Sequence, residues 1–447
     1  MTTLVAHSHD PPSPGAKVQR DAPSLEPVAL ILRTTTLLFA NGETTERTVT
    51  GGSRIADALG YRATLIPRWD ELIVRLEGSA GPLHDVAQVE PAGIDMNKVL
   101  ATERTVDAMS DGRAQPADAW PALAKIATLP PVSLGRFALA SAVGASALSV
   151  IFGAVHPASI AVIALSAGAG AILRRGISHV SSNLLVQPFC AAVLAGLVGG
   201  VAQRYQLSRP QTLVALCPCM VLVPGPHFLN GLIDLGRARV ALGCSRIAFA
   251  TLVIAAISAG LLLGLWLVGG TLPLSPPSRS VPLAVDVVAA GLAISAYGSF
   301  YSMPWRYLPI PIAVGMVAHA LRWLALSVGA SAYAAAFLAC LFVGLVLTPV
   351  SHRLRLPFAA MAFAAVVSLI PGVFLFRVAA GLVQMAGLGA NAPSSLISTV
   401  LAEGSTALLI FLAMGFGLSA PLLAPRARPI HTSVTTSTAG VERVRKA

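Results

Sequence analysis

Val223-Pro224-Gly225-Pro226-His227-Phe228-Leu229 interrupts one long apolar run of the chain, and Ile370-Pro371-Gly372-Val373-Phe374-Leu375-Phe376 interrupts another 147 residues later. Proline inside a helix removes a rung of the i→i−4 ladder, and glycine loosens the backbone beside it. In lipid the freed N–H and C=O groups need partners, so each break must face protein, a cavity or a bound solute. The helix restarting after each break points its positive end toward the middle of the run, which suits an anionic or zwitterionic solute. For either break alone the plain alternative is a kink that improves packing. The same offset carries Arg175 onto Arg322, and the first apolar span onto the sixth. The chain therefore reads as two halves of five spans each. Five is odd, so the second half enters the membrane from the opposite side, the inverted repeat of secondary transporters. A duplicated scaffold without a transport role is the competing reading.

Composition points the same way. Of 447 residues, 55% are hydrophobic and 11% charged, with a mean hydropathy of +0.73. Soluble domains carry roughly a quarter charged residues, so the composition argues against an ordinary cytoplasmic enzyme. Residues 1–135 hold 12 basic and 16 acidic side chains, and residues 136–447 hold 19 and four. This is a polar head followed by a membrane body. The basic pI of about 10.0 does not indicate a nucleic-acid partner. The body's arginines stand singly or in pairs between apolar runs, as loop anchors do under the positive-inside rule. Cys190, Cys217, Cys219, Cys244 and Cys340 lie in or beside apolar segments and read as small hydrophobes. Cys217-Pro218-Cys219 lacks the two-residue spacer of zinc and redox motifs, so no metal or cofactor is expected.

The head divides into a disordered tail over 1–26 and a small soluble α+β domain over 27–130. Its predicted elements are an amphipathic helix over Val28–Ala40, a helix over Glu43–Leu59, strands over Tyr61–Pro67, Glu71–Leu76 and Leu83–Val89, and helices over Asn97–Met109 and Ala117–Thr128. The body is predicted to be polytopic and α-helical, with about ten spans. Repeat 1 (136–270) holds spans at 136–155, 157–173, 183–203, 210–236 and 246–268. Repeat 2 (283–423) holds spans at 283–302, 307–326, 330–350, 356–386 and 396–423. A disordered basic tail follows over 424–447. With the head inside, the inner loops and tail carry Arg174, Arg175, Arg237, Arg239, Arg246, Arg306, Arg353, Arg355, Arg426 and Arg428, and the outer ones Arg204, Arg209, Arg279 and Arg322. Ten against four places both termini on the inner side of the membrane.

Only Asp234, Asp286 and Glu403 put carboxylates within the body before its tail, and intramembrane carboxylates are functional until a partner explains them. His227, Asn230 and Asp234 share one helix face after the first break. Asp234 is a candidate for holding a substrate ammonium or exchanging a proton. An Asp234–Arg237 ion pair is the structural alternative. The repeat sets Arg377 opposite Asn230, as a carboxylate clamp or a snorkelling cation. Asp286 falls in a first turn, where the helix dipole accounts for it. Glu403, in a polar notch with Gly404, Ser405 and Thr406, is a second proton-coupling candidate. His156 and His319 read as interface or packing residues. The substrate-binding set is thus Pro224, Gly225, His227, Asn230, Asp234, Pro371, Gly372 and Arg377.

These residues resemble the bacterial threonine/serine exporter family. The resemblance rests on Leu37-Leu38-Phe39-Ala40-Asn41-Gly42-Glu43-Thr44-Thr45-Glu46-Arg47, on Val223-Pro224-Gly225 through Asn230 and Asp234 to Gly243 and Arg246, and on Ile370-Pro371-Gly372. It covers about residues 28–424. It implies export of threonine and serine across the bacterial inner (plasma) membrane, driven by the proton gradient, from a bilayer-embedded body with a cytoplasmic head and both termini in the cytoplasm. Pro226-His227 stands where smaller apolar residues are more usual in the family. The competing readings are an exporter of another small solute and a membrane-anchored enzyme with catalysis in the head. For the enzyme the available groups are His84-Asp85, Asp95 and Glu103, which without a Gly-rich loop, metal spacing or nucleophile motif read as surface charge. The sequence leaves homo-oligomerisation open.

Overall fold

The computed structural model describes residues 25–78, 81–91, 93–206, 211–274 and 281–423. The two tails read as disordered lie outside the described residues, except that Leu25 and Glu26 already open the first helix.

The head is built from α1 (Leu25–Ala40), α2 (Thr45–Ala58), β1 (Arg62–Pro67), β2 (Glu71–Gly78), β3 (Gly81–Gln88), α3 (Met96–Ser110) and α4 (Pro116–Ala127). Thr34 and Thr35 sit inside buried α1 because their hydroxyls donate to the carbonyls of Leu30 and Ile31 at 2.9 and 2.8 Å. Gly42 ends that helix with φ +94°, a left-handed conformation that glycine adopts without steric cost. Thr44 then caps α2 by accepting from the Arg47 N–H. The strands form an antiparallel sheet in the order β1-β2-β3, with Leu65 opposite Val74 and Val74 opposite Asp85. Leu72, Val74 and Leu76 are buried, which explains their period-two spacing.

The body holds α5 (Leu134–Ile151), α6 (Pro157–Ile177), α7 (Val186–Arg204), α8 (Gln211–Met220), α9 (Gly225–Gly236), α10 (Val240–Leu267), α11 (Leu283–Phe300), α12 (Pro309–Ser327), α13 (Ala332–Arg353), α14 (Phe358–Val366), α15 (Gly372–Leu388) and α16 (Ser394–Leu423). Among the described residues nine helices are long and apolar enough to cross a membrane, or ten if α8 and α9, bent by 58°, count as one span. The second break differs from expectation. The segment before it, Phe358–Leu369, is too short to cross alone, while α15 with the turn that follows it, Gly372–Asn391, is long enough. Its physical setting explains this: every residue from 356 to 373 is buried, so that segment is core rather than lipid-facing span.

Six helices of one half match six of the other at the 147-residue offset, and their packing matches too. α7 lies on α10 as α13 lies on α16; α6 meets α8 as α12 meets α14; α9 meets α10 as α15 meets α16. The α7–α10 contact brings two backbones close together. A methyl group on Gly264 would sit 2.2 Å from the Val193 carbonyl oxygen, and one on Gly260 2.3 Å from that of Phe189. Small residues here let the helices touch, as is usual for packing in lipid. Leu139, Leu165, Leu252, Leu345, Leu401 and Phe416 stay exposed on the outside of the bundle, where hydrocarbon would cover them.

Head and body do not merely abut. Met96 and Leu100 of α3 are buried in the body's core, and Leu242 of α10 is buried in the head's.

Candidate functional site

The two breaks have the same backbone form. Pro224 lies at φ −79°, ψ 60° and Pro371 at φ −78°, ψ 46°. In each, the glycine N–H donates to the carbonyl two residues back, Gly225 to Val223 and Gly372 to Ile370, both at 2.8 Å. These are inverse γ-turns, which satisfy one donor within the break. The breaks also pack on one another. The Gly225 Cα hydrogen side faces Ile370, whose Cδ1 would lie 2.1 Å from an added methyl, and Gly372 faces Met220 and Val223. The requirement that broken backbone be shielded from lipid is thus met by the other half of the chain.

Beside the first break is a cavity of about 380 Å³. Val221–Pro224, Pro226 and His227 form one wall, Phe249 and Val253 of α10 another, and Arg174, Phe137 and Phe300 a third. Asn41 and Gly93–Asp95 of the head complete it. His227 packs edge-on against Phe249, with ring centroids 5.1 Å apart, and Trp69 from the head lies 6.3 Å from His227 and 5.2 Å from Phe249. The Arg174 guanidinium stands 5.7 and 5.6 Å from the rings of Phe137 and Phe300. Its Nε is buried without a hydrogen-bond partner, and among the described residues no carboxylate forms an ion pair with it.

Asn230 and Asp234 point away from this cavity's aromatic wall, to the head. The Asn230 amide donates to the Gly42 carbonyl at 3.3 Å. Thr45 Oγ1 donates to Asp234 Oδ2 at 2.9 Å, the Arg246 Nε lies 3.2 Å from the same oxygen, and Arg239 Nη1 lies 3.4 Å from Oδ1. Arg246 is 1% exposed, with Phe39 of α1 stacked 4.9 Å from its guanidinium. Two expectations are corrected here. Arg246 is not a loop anchor but an interior residue of α10. The partner of Asp234 is not Arg237, because α9 ends at Gly236 and the i,i+3 register ends with it; Arg237 and Arg239 both turn to Glu46. Asp234 therefore lies in a buried junction of α2, α9 and α10.

In the second half Arg377 does not snorkel. It is buried and pairs with Glu403 at 2.8 Å. Asp286 and His319, which the sequence gives structural roles, lie in one hydrogen-bonded chain: Asp286 Oδ2 is 3.1 Å from His319 Nδ1, and His319 Nε2 is 2.7 Å from Ser368 Oγ. His156 is exposed just before Pro157 opens α6.

Comparison with known proteins bears on what such a bundle does. A sequence profile described as a threonine/serine exporter matches residues 29–268, and a second, described likewise as a threonine/serine exporter, matches 286–424. The chain belongs to the threonine/serine exporter family. It is a membrane protein of amino-acid efflux, and the boundary between the two matches falls between α10 and α11, where the repeat divides. No solved structure matches the chain.

For this exporter family member several of the head's ionisable groups are held within the head, while Glu46 and Asp111 reach arginines of the body. Glu103 pairs with Arg47 and Asp107 with Arg54, Asp95 caps α3 by accepting from Asn97 and Lys98, and His84 is exposed on β3. Glu43 is different. It is fully buried, and burial pushes its carboxyl up to about 7, against the pull of Arg47 and with a further push from Glu103. Its folded pKa lies above the unfolded value, so the native state loses stability as pH rises toward and through about 7. Glu43→Gln is expected to raise the melting temperature at pH 8 by about 2–4 °C, a gain of order 2 kcal/mol, and to change it little at pH 5. Thermal melts of both proteins at the two pH values check this; equal shifts at both would assign Glu43 no titration.

Trp69, Phe249, Thr45 and Ser368 are site residues that the sequence reading passes over, and Arg174 is one that it reads only as a loop anchor. Only Thr45 carried a signal, through its place in the first of the resembling segments.

Proposed function

We propose that the protein exports threonine and serine by proton-coupled alternating access, with substrate held in the cavity beside the first break. The observation that carries this is the pair of matching γ-turn breaks packed face to face in the core, with the cavity at one of them. The first helices of the two halves are antiparallel: α5 starts where α11 ends, with Phe137 stacked on Phe300 at 4.7 Å and Arg136 donating to the Met303 carbonyl at 2.8 Å. This supports an inverted repeat, whose rocking would expose the cavity to each side in turn. Arginine loop bias supports an inner-membrane setting with the head and both termini inside.

In this reading the positive end of the α9 dipole faces a substrate carboxylate, and Arg174 offers its unpaired charge. Pro224 and His227 shape the pocket under Trp69, while Pro371 and Gly372 form the counterface on which it closes. Asn230 and Asp234 hold the head to α9, and Arg377 with Glu403 forms the corresponding buried pair of the second half.

Cells lacking this protein, loaded with labelled threonine or serine, test the reading. Wild type should restore efflux, and an uncoupler should remove it. Arg174→Gln should raise KM by roughly ten- to a hundredfold, the loss of a charge-assisted hydrogen bond. Wild-type efflux indifferent to the uncoupler would overturn proton coupling; no efflux of either amino acid would overturn the substrate.

A further inference from the structure

Asp286, His319 and Ser368 form a continuous polar chain in the most apolar part of the molecule, and neither the cavity nor the head uses them. They are 3%, 0% and 5% exposed. Asp286 lies in the first turn of α11, at the end away from the head, since that helix finishes at Phe300 against Phe137. His319 is midway along α12. Ser368 sits in the turn Val367–Leu369 that leads directly into the second break at Pro371. The chain thus runs from near the face opposite the head to the hinge of repeat 2.

The repeat shows what is special about it. At the 147-residue offset the first half has Leu139, Ile172 and Val221, none of which can bind a proton. Conversely, His227, Asn230 and Asp234 correspond to Phe374, Arg377 and Gly381. The halves share a backbone plan and have divided its chemistry. We propose that Asp286, His319 and Ser368 bind the coupling proton, taken from the side opposite the head, and that its arrival resets the second break. This rests on the proton-coupled reading above.

Hydrogen-bond roles supply the mechanism. A neutral imidazole has one N–H and one lone pair, so it donates to one neighbour and accepts at its other nitrogen. Bound to Asp286 through Nδ1–H, it accepts a hydrogen bond from the Ser368 hydroxyl at Nε2. One added proton makes both nitrogens donors, and Ser368 must then turn its hydroxyl elsewhere. The new positive charge is balanced by Asp286, and release of one proton toward the head side restores the start. Ser368 lies three residues before Pro371, so its reorientation acts on the hinge itself. Arg322, one turn along α12, is the charged neighbour acting on both Asp286 and His319. α14 contributes no titratable side chain, Cys340 of α13 faces Gly417 of α16, the turn before α12 carries Arg306 and Tyr307 at the head end, and α5 facing α11 carries only Arg136, also at the head end. Asp234 and Glu403 are each committed to an arginine, and breaking such a pair leaves a buried charge exposed. The order Ser–His–Asp also builds hydrolase nucleophiles. Here residues 356–373 are buried without interruption, so an acyl substrate has no approach to Ser368.

The test uses purified full-length protein in proteoliposomes, with labelled threonine and two readouts: accumulation driven by an imposed pH gradient, and counterflow at equal pH. His319→Gln and the milder Ser368→Ala are compared with wild type, each confirmed folded by its elution profile. Gradient-driven accumulation should fall on the order of a hundredfold in His319→Gln, as for other positioned proton-transfer groups, and measurably in Ser368→Ala, with counterflow retained in both. Variants that keep gradient-driven accumulation would overturn the proton site while leaving coupling intact. Folded variants that lose counterflow as well would also overturn it, by giving the chain a role in substrate passage. Wild type that shows counterflow but no response to the gradient would overturn the coupled reading and this inference together.

Discussion

Asp234→Asn alone is expected to abolish export and lower the stability of the folded protein by about 3–5 kcal/mol, whereas Asp234→Asn with Arg246→Met should fold and still fail to export. The reason lies in Arg246. Its charge is 1% exposed and is neutralised chiefly by Asp234, 3.2 Å away. Removing the carboxylate leaves a guanidinium enclosed by Phe39, Thr45 and α9, and an unpaired buried charge is among the most damaging defects a core can hold. Methionine restores an apolar filling of similar length. The double variant lacks both the carboxylate and the Arg246 hydrogen bond to Thr45 that tie α9 and α10 to the head, so efflux should stay low. Thermal melts of the detergent-solubilised protein beside an efflux assay separate the two effects. A single variant that melts and exports like wild type would show the junction to be dispensable.

Gly264→Leu is expected to yield no folded protein, with a loss of about 3 kcal/mol or more. The methyl position lies 2.2 Å from the Val193 carbonyl and 2.8 Å from the Leu197 nitrogen. Backbone atoms inside a helix cannot step aside, so α7 and α10 would have to separate along their length, opening the contacts that flank the first break. Gly176→Ala is the control. Nothing lies within 4 Å of its added methyl, so it should export normally and gain up to roughly 1 kcal/mol from helix propensity. Membrane-fraction yield and elution profile read both variants. Normal folding of Gly264→Leu would mean that the close approach of these helices is not required.

Much of the architecture was legible because its signals are local. Pro-Gly within an apolar run can do little but break it, and the offset between two such runs exposed the repeat. Alternating residues in β2 and the Asn41-Gly42 turn were legible for the same reason. The sites were less so, since their members meet only in three dimensions. His319 is 33 residues from Asp286 and 49 from Ser368, and a serine in an apolar stretch carries no mark of the histidine it will face. Arg246 looked like a loop anchor because a positive charge at the edge of a span is usually one; only the fold brings Asp234 and Phe39 around it. Arg377 and Glu403 were each noticed, yet 26 residues of separation in sequence hid that they neutralise each other.

The interleaving of the two cores has a practical side. With Met96 and Leu100 set into the bundle and Leu242 set into the head, displacement of α9 or α10 is transmitted to a sheet that lies outside it. A fluorophore attached at Val86, half exposed on the outer face of β3, would then act as a pointer on a lever. Its distance to a second dye on an exposed position such as Val328 at the far end of α12 should change with each half-cycle, giving a way to watch single molecules turn over without touching any residue in the pathway.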